Sequence, residues 1–315
     1  MIRTSHYLFA ALCLGSLFAC SRQFTDSYIV PKWCFAVFML FIVLAYEAVN
    51  ILFYRQNEQK DTRISVYGFI IVISCFLQAM FGVVQFFGFF QISTTLWVTG
   101  SFDNPAGFAA CLCAGFPFVG FLLSDSNKYI RYVGGLIGFV IVIAVILSQS
   151  RAGIMSIAFI CFILLNMKFF HKRWVKYLSL LCFALLLSGC YWMKKDSADG
   201  RLLIWRCSVS MVKDAPWLGH GIGSFEARYM DYQADYFRQY GLNRYSMLAD
   251  NVKHPFNEYL GVLLNFGFVG LLMILALITL LIYCYKKHPC AEKRIAFYSL
   301  ISIGVFSFFS YTFTY

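Results

Sequence analysis

Four polar side chains mark the two ends of one long polar segment in an otherwise apolar sequence. Arg201 and Arg206 follow one apolar run, and His254 and Asn257 precede the next. A guanidinium group binds phosphate oxygens through a planar fork of N–H donors, and a neutral imidazole at a wet interface is a suitable general base near pH 7. An asparagine can orient a sugar or a phosphate. Together these residues favour chemistry on a phosphorylated, membrane-borne substrate.

Each of these residues also has a simpler interpretation. Arg201 and Arg206 do not share one narrow helix face if the segment is helical, so only one of them is expected to point at a given site. Either can be plain interfacial charge. A lone histidine such as His254 is often structural or a solvated cap, and His220, which lies between glycines, is a weaker candidate for the base.

Arg151 lies between two apolar runs, in the turn Ser148–Ile154. An arginine near bilayer depth is costly and usually has an anionic partner, but no acidic residue lies close to it in sequence. We therefore expect its guanidinium group either to reach lipid phosphates at the membrane surface or to bind a substrate phosphate.

The sequence predicts neither a cofactor nor a metal site. It contains no Asp-x-Asp pair and no metal-ligand spacing, so any phosphate chemistry would rely on the arginines. Most of the cysteines lie in apolar runs, where a thiol behaves as a small hydrophobe, and the polar segment has only Cys207. Glu47 is the one carboxylate well inside an apolar run and no paired broken helices are foreseen, which argues against a proton-coupled transporter.

The composition predicts an all-α polytopic membrane protein. Hydrophobic residues make up 60% of the chain and charged residues only 13%, against roughly 25% charged in ordinary globular proteins. A bilayer core of ~30 Å requires about 20 apolar residues per helix, and about nine runs qualify as transmembrane helices. They are Tyr7–Cys20, Trp33–Phe53, Val66–Phe90, Ala106–Leu123, Tyr132–Leu147, Ala152–Phe170, Val175–Met193, Tyr259–Tyr285 and Ala296–Phe313. A plain first helix is favoured over a lipoprotein signal ending at Cys20, because Phe18 fits such a signal poorly.

The net charge of +11 predicts an orientation rather than a nucleic-acid partner. Alternate short connections hold most of the basic residues: Arg55, Lys60 and Arg63; Lys128 and Arg131; Lys168, Lys172, Arg173 and Lys176; and Lys286, Lys287, Lys293 and Arg294. The opposite connections hold only Arg22, Lys32 and Arg151. The positive-inside rule then places the N-terminus in the cytoplasm and the long polar loop outside. Basic and acidic residues nearly balance within that loop, so it is not a nucleic-acid patch.

The polar loop divides one integral membrane domain into three parts: helices in residues 1–193, the loop in 194–254, and helices in 255–315. Helical spacing predicts short helices at Leu202–Val212 and Phe225–Tyr240 inside the loop. Pro216 and the glycines that follow it predict a break between them. Pro255 is expected in the first turn of the next helix, where a missing N–H costs nothing.

From about Gly100 to Leu272 the chain resembles the bacterial O-antigen ligase and O-antigen polymerase family, polytopic membrane glycosyltransferases of the GT-C type. GSFDNPAGFAA is similar to the family's Gly/Thr-x-Phe-x-Asn-Pro-Asn segment, and SQSRAGI to its Ser-Arg-x-Gly turn. GRLLIW and DAPWLGHGIGSF resemble its Arg-x-x-x-Trp helix and Pro-x-x-Gly-x-Gly-x-x-x-Phe loop. FNEYLGVLLNFGFVG resembles its re-entry helix, which ends in Gly-x-x-Gly. The four motifs occur in the family's order.

The resemblance implies an enzyme of lipopolysaccharide biosynthesis. It would take a glycan from an undecaprenyl-pyrophosphate carrier on the periplasmic face of the inner membrane and transfer it without a metal to a hydroxyl group. The acceptor is lipid A–core for a ligase and another carrier-linked repeat for a polymerase. By motif, Arg151 and Arg201 would hold the pyrophosphate, with Arg206 assisting, and His254 would activate the acceptor. The remaining substrate-binding candidates are Asn104, Trp205 and Asn257.

Two positions depart from the family pattern. In the family's ligases a histidine usually stands directly before the asparagine of the re-entry helix, whereas that position is Phe256 in this chain and the nearest histidine is His254. Ala106 replaces the second asparagine of the Asn-Pro-Asn motif. Ligase is expected ahead of polymerase. The competing functions are a lipid-linked glycan flippase or exporter, which the long one-sided loop disfavours, and a non-catalytic assembly or signalling protein.

Overall fold

The structure, a computed structural model, describes residues 4–21, 23, 29–53, 61–89, 98–168, 172–193, 195–287 and 289–310. These residues form helices joined by turns, and none of them is in a strand. The helices are α1 Thr4–Phe18, α2 Ile29–Phe53, α3 Asp61–Phe86, α4 Pro105–Gly115, α5 Val119–Leu123, α6 Lys128–Leu147, α7 Arg151–Lys168, α8 Arg173–Met193, α9 Lys195–Asp214, α10 Ser224–Tyr240, α11 Glu258–Lys287 and α12 Ala291–Phe309. The predicted all-α class is confirmed for this part of the chain.

Five described stretches are long and apolar enough to cross a membrane: Ile29–Val49, Val66–Phe86, Pro105–Leu123, Lys128–Leu147 and Glu258–Lys287. Helices α1 and α7 are also apolar but shorter. The total of nine spans and the side on which the polar loop lies stay predictions. Several predicted features lie outside the described residues, namely the span ends Phe90, Phe170 and Phe313, the basic residues Arg22, Arg55 and Lys60, and the start of the polar loop at Lys194.

The chain forms two compact units, one of Met1–Ile157 and Cys290–Ile303, the other of Ala158–Pro289 and Gly304–Thr314. In the first unit, α3 packs against α1, α4, α5 and α6. Within the same unit, serines join α12 to α4 and α7, because the Ser302 hydroxyl donates to the Cys113 carbonyl at 2.8 Å and lies 2.8 Å from the Ser156 hydroxyl. Such bonds help hold helices together where lipid removes the usual hydrophobic driving force.

The second unit is built on a helical hairpin from the predicted polar loop. Helices α9 and α10 pack on each other and on α11, and they share a core of Leu203, Ile204, Cys207, Met211, Phe225, Tyr229, Tyr245 and Leu264. The predicted helices at Leu202–Val212 and Phe225–Tyr240 are therefore confirmed. Helix α9 begins earlier than predicted, at Lys195, because the buried Asp199 ties its first turns to Tyr191, whose hydroxyl lies 3.2 Å from the carboxylate.

The start of α11 corrects one prediction. The helix begins at Glu258, so Pro255 is not in its first turn. Asn257 caps the helix instead, since its Oδ1 accepts from the Leu260 amide at 3.1 Å. Phe256 has a left-handed φ of 53°, and a right-handed helix cannot extend back through such a residue. Pro255 therefore lies in the turn that precedes the helix.

Helix α11 is interrupted at Gly267. The φ and ψ of this residue, 61° and −158°, belong to a region that essentially only glycine occupies. In an unbroken helix the carbonyls of Leu264 and Asn265 would accept from the amides of Phe268 and Val269. The break leaves these four backbone groups without their helical partners.

The glycine-rich loop between α9 and α10 supplies replacement partners for all four groups. The amides of His220 and Gly221 donate to the two carbonyls at 2.7 and 3.1 Å. The carbonyls of Pro216 and Trp217 accept from the two amides at 2.8 and 3.2 Å. Non-helical backbone at membrane depth is tolerated only where it is enclosed by protein in this way.

Two glycines make this exchange possible because backbone meets backbone at the break. A Cβ on Gly267 would lie 2.3 Å from the Trp217 carbonyl, and a Cβ on Gly219 would lie 2.6 Å from the Asn265 carbonyl carbon. Gly219 also has a left-handed φ of 69°. The two family-like motifs DAPWLGHGIGSF, in the loop, and FNEYLGVLLNFGFVG, in α11, thus contact each other through their backbones.

Candidate functional site

Arg201 and Trp205 lie one turn apart on α9, and both reach the turn that leads into α11. The Arg201 Nη1 donates to the Phe309 carbonyl at 2.5 Å, and its Cζ lies 5.0 Å from the centroid of the Phe256 ring. The Trp205 indole N–H donates to the Pro255 carbonyl at 3.0 Å. One face of α9 therefore fixes both the Arg201 charge and the backbone of the turn.

Phe256 is held in an uncommon conformation against Arg201. A left-handed φ in a residue with a Cβ costs ~1–2 kcal/mol, so neighbouring contacts must maintain it. Trp205 anchors Pro255 on one side, and on the other side the buried Asn257 caps α11. Sequence analysis recognises Phe256 only as the residue in the family histidine's place. Its stacking on Arg201 depends on the turn conformation, which no sequence pattern reveals.

His254 is half-buried directly before this turn. Burial is the main effect on its imidazole, and it lowers the pKa below the ordinary value of 6.5, while Glu226 acts in the opposite direction and Lys253 adds to the lowering. The Lys253 ammonium lies 3.6 Å from the Glu226 carboxylate. The imidazole is consequently neutral at pH 7, which is the form that a general base requires.

His220, the weaker candidate for the base, has both ring nitrogens in structural contacts. Its Nε2 lies 2.7 Å from the Met211 carbonyl and its Nδ1 lies 3.0 Å from the Arg228 Nη1. Because the carbonyl accepts and the guanidinium donates, Nε2 carries the proton and Nδ1 accepts. His220 therefore links α9 to α10, which disfavours it as the base.

Arg206 contacts different residues from Arg201. Its Nη1 donates to the Tyr236 hydroxyl at 3.2 Å, and its Cζ lies 5.1 Å from the centroid of the Tyr245 ring. Arg244 has its Cζ 4.8 Å from the same ring and donates to the Tyr245 hydroxyl at 2.8 Å. The two α9 arginines are five positions apart, and their environments are therefore separate. Arg244 and Tyr245 come from an irregular loop, where periodicity gives no signal, and sequence analysis missed them.

Arg151 is the first residue of α7, in the first unit. The preceding Ser150 caps the helix, since its hydroxyl accepts from the Gly153 amide at 3.3 Å, and Gln149 turns the chain with a left-handed φ of 54°. A helix N-terminus carries partial positive charge. A guanidinium group at this end adds to that charge, so both features favour an anion. A shared site with Arg201 stays a prediction from the resemblance.

Residues 136–275 match the family model described as O-antigen ligase. This range contains Arg151, the two arginines of α9, His254 and Asn257. This stretch of the chain is similar to that family. The predicted resemblance to the O-antigen ligase and polymerase family is thereby confirmed, and it supports a bacterial membrane enzyme of the glycosyltransferase type that acts on a lipid-linked glycan and a glycan acceptor. No curated protein and no solved structure matches the chain.

The Asn-Pro motif lies N-terminal to the matched residues 136–275 and has a clear structural role. The Asn104 Oδ1 accepts from the amides of Ala106 and Gly107, both at 2.9 Å, and Pro105 occupies the first turn of α4. The Asn104 Nδ2 donates to the Asp103 carboxylate at 3.1 Å. An N-cap followed by proline is a strong helix start. Substrate binding by Asn104 stays a prediction.

Buried polar side chains anchor the turn that precedes Asn104. The Gln85 Oε1 accepts from the amides of Thr99 and Gly100, both at 2.9 Å. The Gln78 Nε2 and the Lys32 Nζ donate to the Ser101 hydroxyl at 3.0 and 3.4 Å. Lys32 is only 7% exposed, although sequence analysis treats it as one of the basic residues of an outer connection. The helix begins at Ile29, before the apolar run that starts at Trp33, so Lys32 lies within α2.

Metal ligands are not grouped in the part of the chain that the structure describes. No three or more His, Cys, Asp or Glu side chains in those residues are placed to hold a metal ion.

Proposed function

We propose that this protein transfers a glycan from an undecaprenyl-pyrophosphate carrier to a hydroxyl of lipid A–core on the periplasmic face of the inner membrane. The observation that carries the proposal is the O-antigen ligase match over residues 136–275. That range holds the arginines and the histidine on which the chemistry depends. The proposed reaction uses side chains alone, with no metal.

The donor pyrophosphate is proposed to bind Arg151 and Arg201. Pyrophosphate leaves readily once its developing charge is neutralised, and fixed cations do this without reorganising during the reaction. Arg201 is suited to the task because a carbonyl and an aromatic ring hold its guanidinium group from two sides. Arg151 is suited to it because it begins a helix whose amide dipoles also favour an anion.

The acceptor hydroxyl is proposed to lose its proton to His254. As the oxygen attacks the anomeric carbon, the bond from that carbon to the pyrophosphate breaks on the opposite face, so the anomeric configuration inverts. The imidazole takes the hydroxyl proton, and the electron pair of the broken bond goes to the pyrophosphate. A positioned base contributes roughly 10²–10⁴-fold to such a step.

The other candidates are proposed to support this reaction. Arg206 assists from the neighbouring face of α9, where it is exposed beside Tyr245. Trp205 and Asn257 line the turn before α11 and keep it in place. Asn104, at the start of α4, is proposed to help bind the substrate.

Polymerisation is the second candidate, because the confirmed family includes polymerases as well as ligases. The donor chemistry and the arginines would be the same, and only the acceptor would change, from lipid A–core to a second carrier-linked repeat. The description of the matching family model, O-antigen ligase, favours the ligase.

The test uses the purified full chain in detergent, supplied with an undecaprenyl-pyrophosphate-linked oligosaccharide and one acceptor at a time. Glycan attached to lipid A–core supports the ligase. Chain growth on the carrier alone identifies a polymerase. Failure with both acceptors, by protein that remains folded, would remove the transferase proposal. A transporter cannot give either product, because detergent leaves no compartment to transport into.

A further inference from the structure

An apolar groove runs between α7 and α8 and includes no residue of the candidate site. Its volume is about 520 Å³. Ala158, Phe162 and Leu165 line it from α7, and Leu178, Cys182 and Leu186 line it from α8. On each helix these positions recur three or four residues apart, so each helix presents one apolar face to the groove.

Side-chain contacts join the two helices along this groove. The Asn166 Nδ2 donates to the Ser179 hydroxyl at 3.0 Å, and the Phe183 ring centroid lies 5.7 Å from that of Phe162. These contacts hold the two faces together at intervals and leave the space between them unfilled by protein. The lining residues follow one face of each helix, so the groove is elongated along the helices.

The ends of α8 indicate how the groove lies with respect to a bilayer. Trp174 and Trp192 are 64% and 66% exposed near the two ends of the helix. They are ~27 Å apart along a helix that rises 1.5 Å per residue, close to the ~30 Å thickness of a hydrocarbon core. Exposed Leu181 and Leu185 lie between them. Tryptophans at both interfaces with leucines between them are typical of a membrane-spanning helix.

One end of the groove is basic. Lys172 lines the groove, and Arg173 and Lys176 are exposed within the next turn. Residues 158–193 include no Asp or Glu in their sequence, so the sequence of this segment is basic. A basic pocket between transmembrane helices attracts anionic lipid head groups.

We propose that this groove binds one anionic phospholipid, whose phosphate lies at Lys172 and whose acyl chain extends toward Leu186. The distance between these two residues is ~21 Å along the helix, which is enough for one acyl chain within its own leaflet, about half of the ~30 Å hydrocarbon core. This site is separate from glycan transfer, and its test does not depend on activity.

The experiment measures lipid retained by the purified full chain with native mass spectrometry, after exchange into equal amounts of phosphatidylglycerol and phosphatidylcholine. The wild-type chain is expected to retain one phosphatidylglycerol. Cys182→Trp, which fills the groove, should lose it, and Leu185→Trp, on the lipid-facing side of the same helix, should keep it. Lys172→Gln should reduce the preference for phosphatidylglycerol about fivefold, whereas Lys128→Gln, at a different helix start, should not.

Three results would overturn the proposal. If Cys182→Trp and Leu185→Trp retained equal amounts of phosphatidylglycerol, the lipid would lie elsewhere. An unchanged preference in Lys172→Gln would remove the head-group contact. Displacement of phosphatidylglycerol by an equal amount of undecaprenyl phosphate would assign the groove to the carrier lipid instead.

Discussion

Arg201 and Phe256 form a stacked pair across the turn that leads into α11, with the guanidinium Cζ 5.0 Å from the ring centroid. The same guanidinium group donates to the Phe309 carbonyl. A charge held from two sides loses little conformational freedom when a substrate binds, which is the advantage of a preorganised site. The first two predictions test each partner of this pair.

Arg201→Ala is expected to reduce glycan transfer by about 10²-fold or more, the typical cost of removing a preorganised group that stabilises a developing charge. The protein should still accumulate in the membrane. Transfer to lipid A–core in detergent measures the effect. Arg238→Ala is the matched control, because Arg238 is an exposed arginine of the same hairpin that pairs with Asp235. Normal activity in Arg201→Ala would remove this arginine from the reaction.

Phe256→Leu is expected to lower kcat/KM for the donor about two- to fivefold, because it removes a cation–π contact worth ~0.5–1 kcal/mol. Phe256→Tyr keeps an aromatic ring over Arg201 and should retain wild-type kinetics. Steady-state kinetics with varied donor concentration separates the two variants. Equal losses in both would mean that the turn, rather than the stacking, was disturbed.

Because of His254, the rate of glycan transfer should depend on pH in the acidic range. The neutral imidazole is the active form, so kcat/KM should fall as pH drops through a pKa below 6.5 and should level off above it. This fall is the acidic limb of the pH profile. Because Glu226 raises the pKa of His254, Glu226→Gln should move the acidic limb to lower pH. A pH profile of each variant measures the shift.

His254→Gln should abolish the acidic limb and reduce the rate about 10²–10⁴-fold. Full activity with an unchanged limb would show that another group has taken over the role of the histidine that Phe256 displaces.

Gly267→Ala should destabilise the protein by ~1–3 kcal/mol from backbone conformation alone, with a further cost because its Cβ would lie 2.3 Å from Trp217. Gly261→Ala is the matched control in the same helix. A Cβ at position 261 meets only ordinary contacts, the nearest at 3.8 Å. Thermal unfolding in detergent should show a large drop for the first variant and none for the second. Similar unfolding temperatures would contradict the enforced break in α11.

The all-α class and the two helices of the α9–α10 hairpin were predictable because they follow from the local spacing of apolar residues. Apolar runs and helical spacing are properties of neighbouring residues. The motifs pointed to the family that the match over residues 136–275 supports, because family patterns preserve order along the chain. Pro255 was misplaced since the conformation of Phe256 depends on contacts from α9, which is distant in sequence. The break at Gly267 was not foreseen because its partners come from a distant loop.

The exchange of hydrogen bonds at Gly267 also has a consequence for membrane insertion during synthesis. The loop of Pro216–Gly221 leaves the ribosome before α11 does, so it can already be folded against α9 when α11 emerges. If α11 took its broken form before the loop reached it, the four groups would be unpaired in the lipid, each costing several kcal/mol. The broken form of α11 is therefore stable in a membrane only with the loop packed against it, and the earlier synthesis of the loop makes this partner available when α11 emerges.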